Sequence, residues 1–113
     1  MMELSHEVCN GVLVLKPKKR IDSNTAQLFE DQSTALIGTG PNKVVIDFSD
    51  LAYISSAGLR VLLIIGKCLK SSGGMLTLCG VRDNVKDVIE VSGFASIFGV
   101  HAGVKEASVA LGA

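Results

Sequence analysis

The sequence predicts an α/β fold: a small mixed, mainly parallel β-sheet opened by an antiparallel hairpin and joined by crossover helices. Three observations carry this reading. Asn10-Gly11 separates two short strand-like stretches, buried-strand runs recur at 44–48 and 75–79, and segments of helical spacing lie between and after them. With 113 residues and 48% of them apolar, the chain suits a single domain, residues 1–113, with a core that needs neither metal nor disulfide.

Each element follows from local chemistry. Residues 4–8 and 12–15 flank Asn10-Gly11, which tolerates the positive φ of a tight hairpin turn. The second strand is apolar throughout, so it belongs inside the sheet. Pro17, with the cluster Lys16, Lys18, Lys19 and Arg20, is expected to end it, because proline cannot donate to a ladder. From Ser23 the period becomes helical: Ala26, Phe29, Leu36 and Ile37 recur on one face, Asp22, Ser23 and Asn24 offer caps, and Gly38-Thr39-Gly40-Pro41 stops the helix. Residues 44–48 form a β-branched strand ending in Asp47, and 49–55 are expected to be a loop. A second helix runs from Ser56 to about Lys70, followed by a strand at 75–79. Asp83 is expected to cap a third helix carrying the Val85, Val88, Ile89 stripe, with Gly93 beyond its end. Residues 97–100 read as a short extended piece and 104–111 as a last amphipathic helix. About four main strands are expected, with helices crowding one face.

Charge and composition exclude several functions. Eleven basic residues balance eleven acidic ones, so the concentrated positive field of a general nucleic-acid binder is missing. The apolar run at 61–65 is far short of the ~20 residues of a membrane span. The N-terminus has no secretory pattern. A cytoplasmic protein with no membrane insertion is expected. Cys9, Cys68 and Cys79 form no metal or disulfide spacing, and Cys68 and Cys79 are expected to fill the core as small hydrophobes. No phosphate-binding loop, dinucleotide fingerprint or nucleophile elbow occurs, and His6 and His101 stand at the chain's extremes. Asp22, Asp47 and Asp50 read as solvated caps at element ends. No enzyme activity, catalytic residue or metal is expected, and a protein partner or small ligand is.

The informative segment is Asp47 to Leu63. A buried strand ends in Asp47, and two serines, Ser55 and Ser56, open a strongly apolar helix whose free N–H groups suit a hydroxyl cap. Ser56 is either that cap or an accessible hydroxyl open to phosphorylation. Arg60 and Lys67 share one helix face with Leu63 and Ile64 between them, which is either a partner surface with exposed apolar groups or a face covered by a neighbouring helix.

This segment resembles the signature of the STAS domain, the family of bacterial anti-sigma factor antagonists and of sulphate-transporter tails. The matching residues are the strand aspartate followed by Ser55-Ser56-Ala57-Gly58-Leu59, Arg20-Ile21-Asp22 before a helix, and Val91-Ser92-Gly93-Phe94 with Ile97-Phe98. The resemblance implies a STAS-like fold and an anti-sigma factor antagonist that, unphosphorylated, binds a serine kinase acting as the anti-sigma factor and so releases a sigma factor. It implies phosphorylation at Ser56, removal of the phosphate by a PP2C-like phosphatase, and no cofactor. Because the neighbouring segments start or extend helices beside this signature, a partner surface is expected at Asp22, Ser55, Ser56, Ala57, Gly58, Arg60, Leu63 and Ile64. Ser55 stands where many members carry aspartate, which makes it a rival acceptor. Lys19-Arg20 replaces the glycine that often precedes the upstream element. Two other functions remain open: a non-switching subunit of a membrane transporter, such as one moving lipids, and a small-ligand or nucleotide sensor, since a helix N-terminus attracts anions.

Overall fold

Asn10 (φ 54°) and Gly11 (φ 77°) both adopt the left-handed conformation the hairpin turn requires, joining β1 (Glu3–Cys9) to β2 (Val12–Ile21). The structure is a computed structural model and describes residues 3–112. The chain continues as α1 (Ala26–Thr39), β3 (Lys43–Asp47), β4 (Leu51–Ile54), α2 (Ser56–Ser71) and β5 (Met75–Cys79). It closes with α3 (Asp83–Val91), a short 3-10 turn (Phe94–Ser96), β6 (Gly99–His101) and α4 (Val104–Ala110). The order across the sheet is β1-β2-β3-β5-β6, with β4 paired to β2 beyond the end of β3, and every pairing except β1 with β2 is parallel. The mixed, mainly parallel sheet opened by a hairpin is therefore observed.

Pro17 does not end β2. It pairs with Leu4 on one edge, and on the other edge it falls in the interval where β2 changes partners. Leu13, Val14 and Leu15 face β3, whereas Lys19, Arg20 and Ile21 face β4. No ladder occupies that interval, so proline's missing N–H interrupts none there. Two lysines of the basic cluster form ion pairs along β2: Lys19 Nζ lies 2.9 Å from Glu3, and Lys16 Nζ lies 3.5 Å from Asp50 and 3.9 Å from Asp47.

The expected loop at 49–55 is largely a strand. Only Ser49 and Asp50 turn, with Leu51 N donating to Phe48 O, before β4 joins β2. Asp83 does not cap α3; it begins the helix, after Arg82. The late extended piece is β6, slightly beyond 97–100.

Alternation along the strands divides the core. Leu13, Leu15, Val44, Ile46, Leu76 and Leu78 face α1, α2 and α3, packing with Phe29, Leu62, Ile65 and Leu69. Val12, Val14, Val45 and Cys79 face the other side, where Ala107 and Leu111 of the C-terminal segment cover them. Helices thus occupy both faces, three on one and α4 on the other. Thr77, buried beneath α4, satisfies its hydroxyl by donating to Ala107 O at 3.2 Å. Among the described residues no helix is long and apolar enough to cross a membrane, and no group of His, Cys, Asp and Glu could hold a metal.

Cys79 is the core filler expected; Cys68 is not, since it sits on the exposed side of α2, and Cys9 is also exposed. Burial, reinforced by the Asp47 carboxylate, pushes the Cys79 thiol up to about 12. Iodoacetamide at about pH 8 should therefore alkylate Cys9 and Cys68 in the native protein and spare Cys79 until the chain unfolds. Peptide mapping that finds Cys79 labelled as fast as the other two in the native state would contradict this placement.

Candidate functional site

The site is made by the far end of β2. Arg20 pairs with Tyr53 and Ile21 with Ile54, and Ser55 N donates to Ile21 O at 2.9 Å, so two parallel strands finish side by side. Each leads straight into a helix: Asp22 through Thr25 into α1, and Ser55 into α2. The two helices pack against each other, which brings their N-terminal ends together.

Asp22 organises the first of these ends. Its Oδ1 accepts from Asn24 N (2.9 Å) and Thr25 N (3.2 Å), and its Oδ2 pairs with Arg20 Nε at 2.9 Å. Its own N–H donates to Thr25 Oγ1 at 2.9 Å. The Asn24 and Thr25 donors, helped by Arg20, hold the carboxyl below its ordinary range. Arg20 in turn lies over the Tyr53 ring, 5.0 Å from its centroid. The sequence marks Arg20 only within the basic cluster and the Arg20-Ile21-Asp22 element and gives no sign of Tyr53; the pairing of β2 with β4 makes them neighbours.

The second end separates two serines that looked interchangeable. Ser55 is the N-cap: its backbone is extended and its Oγ accepts from Gly58 N at 3.3 Å. Ser56 is the first helical residue, exposed, and its hydroxyl has no hydrogen-bond partner among the described residues. Ala57 is half-buried. Gly58 is buried against the strand ends, where a Cβ would come within 2.7 Å of Ile54 Cγ1 and 2.9 Å of Ile21 Cγ2. Glycine is needed there because α2 rests directly on the β2–β4 junction.

Farther along α2, Val61, Leu62, Ile65 and Leu69 turn inward. Arg60, Ile64 and Lys67 are exposed, while Leu63 is half-buried and packs against the core. The apolar pair thus divides: Ile64 belongs to the surface and Leu63 to the margin of the core. On the α3 side, Leu59 lines a shallow apolar groove with Val88 and Val91, and Val91 is 89% exposed. Asp47 and Asp50 do not join the site. They lie beyond the opposite end of β4, Asp50 being five residues and so roughly 16 Å from Ser55 at the rise of a strand, and they bind Lys16 there. Asp22 is the acidic group that the strand ends bring to the serines.

A family profile described as STAS domain matches residues 3–107. A Bordetella bronchiseptica protein provisionally named the anti-sigma factor antagonist BtrV is 39% identical over 109 residues, covering 96% of this chain and 93% of its own. The anti-sigma F factor antagonist of Paenibacillus polymyxa is 25% identical over 101 residues, covering 88% and 85% respectively. The crystal structure of a provisionally named anti-sigma factor antagonist from Thermotoga maritima matches with a TM-score of 0.90 at 25% identity, over 97% of this chain and 95% of that one.

The fit at Gly58 is directly testable. Gly58→Ala gains about 1 kcal/mol of helix propensity, but the contact with Ile54 and Ile21 forces overpacking. Urea denaturation should show a net loss of ~1–2 kcal/mol. A variant more stable than the parent would mean that α2 does not sit this closely on the strand ends.

Proposed function

The chain belongs to the STAS domain family, and on that premise we propose that it is an anti-sigma factor antagonist switched by phosphorylation of Ser56. Unphosphorylated, it docks on a serine kinase that is itself the anti-sigma factor, and the sigma factor is released. Phosphorylation ends that binding, and a PP2C-like phosphatase restores it. The protein acts by binding rather than catalysis, in the cytoplasm and without a cofactor.

The observation that carries this reading is the unequal placement of the two serines. The helix needs one hydroxyl as a cap and takes it from Ser55. Ser56 is left exposed, where a kinase can reach it without unfolding the helix. Around it lie the groups that suit a docking surface: Arg60 and Ile64 along α2, and the Asp22 turn beside it. Gly58, being buried, contributes packing rather than contact.

Charge explains why such a switch breaks an interface and leaves the fold intact. A phosphate adds roughly −1.5 to −2 charges at neutral pH. The helix N-terminus offsets only ~0.3–1 kcal/mol of its cost, with or without a partner present. A partner covering Ser56 would have to desolvate that charge beside the Asp22 carboxylate, at a cost of several kcal/mol. Calorimetric titration of the cognate kinase should therefore show phosphorylation weakening binding about 10²–10³-fold, since each ~1.4 kcal/mol is tenfold. Ser56→Ala should bind whether or not ATP is present, and Ser56→Asp should weaken binding only in part. Undiminished binding by protein fully phosphorylated at Ser56 would sink the switch.

A further inference from the structure

Ser56 and Arg60 stand at i and i+4 on α2, and both are exposed. Helical side chains lean toward the N-terminus, so Arg60 covers the turn that carries Ser56. An anion N-terminal to a cation at this spacing is the favourable order. Arg60 makes no ion pair among the described residues. The other nearby cation, Arg20, is already held by Asp22 Oδ2 at 2.9 Å and by the Tyr53 ring. Lys67 lies about three turns along the helix from Ser56. The acidic groups on adjoining elements are Asp22 at the end of β2, Glu30 and Asp31 on α1, and Asp87 beside Leu59 on α3. The further cations are Lys86 on α3 and Lys16, Lys18 and Lys19 on β2, of which Lys16 and Lys19 are paired with Asp47, Asp50 and Glu3.

We propose that Arg60 is the internal counter-ion of a phosphate on Ser56, so that phosphorylation both adds negative charge and withdraws the Arg60 cation from the docking surface. This rests on the phosphorylation reading and deepens it. Arg60 is a positioning residue: free to meet an acidic group on the partner before modification, and turned back onto its own helix afterwards. A carboxylate at position 56 has less charge, fewer acceptor oxygens and a shorter reach, so it leaves Arg60 largely available.

Phosphoserine installed at position 56 by genetic encoding makes the test independent of any kinase. Phosphorus NMR titration at low salt should show the phosphate's second pKa rising by ~0.3–0.7 unit in Arg60→Gln, the size of an exposed ion pair. Arg60→Lys should restore most of the difference, and added salt should shrink it. The same pKa in the phosphorylated parent and in Arg60→Gln at low salt would overturn the proposal. Phosphate mapping after incubation with kinase and ATP reads separately whether Ser56 is the natural acceptor, so the two failures are distinguishable.

Discussion

The pairing of β2 with β4 is the contact on which the rest of the site depends. β2 holds its ladder to β1 through Pro17 and then crosses an irregular register at Lys19, which takes a positive φ of 67°. Beyond that point it accepts a second parallel partner. Without that extension Ser55 N would lose its acceptor at Ile21, and the starts of α1 and α2 would not meet. The apolar groups there carry most of the stabilisation. Ile21, Leu51 and Ile54 are almost completely buried, and each such side chain contributes ~1.5–3 kcal/mol. The ion pairs Lys19–Glu3 and Arg20–Asp22 lie in contact with solvent, which screens them, so they add little beside this burial.

From this junction the functional geometry follows by packing. α2 can lie on the strand ends only because Gly58 has no Cβ, and that close seat fixes the residues just before it. The cap falls to Ser55 and the accessible hydroxyl to Ser56. One helix turn thus holds a structural serine beside an exposed one, and a change at the second need not disturb the first. Under the proposed switch, a phosphate on Ser56 would alter what the surface offers to a partner while the helix stays folded.

Much of this was readable from the residues. Asn10-Gly11, the β-branched runs and the helical stripes of α1 to α4 gave the element order, and Ser55-Ser56-Ala57-Gly58-Leu59 marked the start of α2. What was hidden has definite physical causes. β4 is four residues long with its ends buried and its middle exposed, so it has no period-two pattern to detect. Pro17 usually marks a strand end, and only knowledge of where β2 changes partners shows why it is tolerated. Cys68 lies in an apolar run but at an angle on the helix that faces outward. Asp47 and Asp50 stay apart from the serines because 51–54, expected as a loop, run straight as a strand. The cap also had two candidates of equal chemistry, and only the backbone at Ser55 decided between them.

The division of labour between the serines is the central claim, and a paired stability and labelling measurement tests it most directly. Ser55→Ala removes a helix cap and should lower the urea-derived stability by ~1 kcal/mol, while the kinase still modifies Ser56. Ser56→Ala should leave stability within ~0.5 kcal/mol and abolish labelling. The reverse pattern, with stability lost at Ser56 and phosphate found on Ser55, would contradict the account.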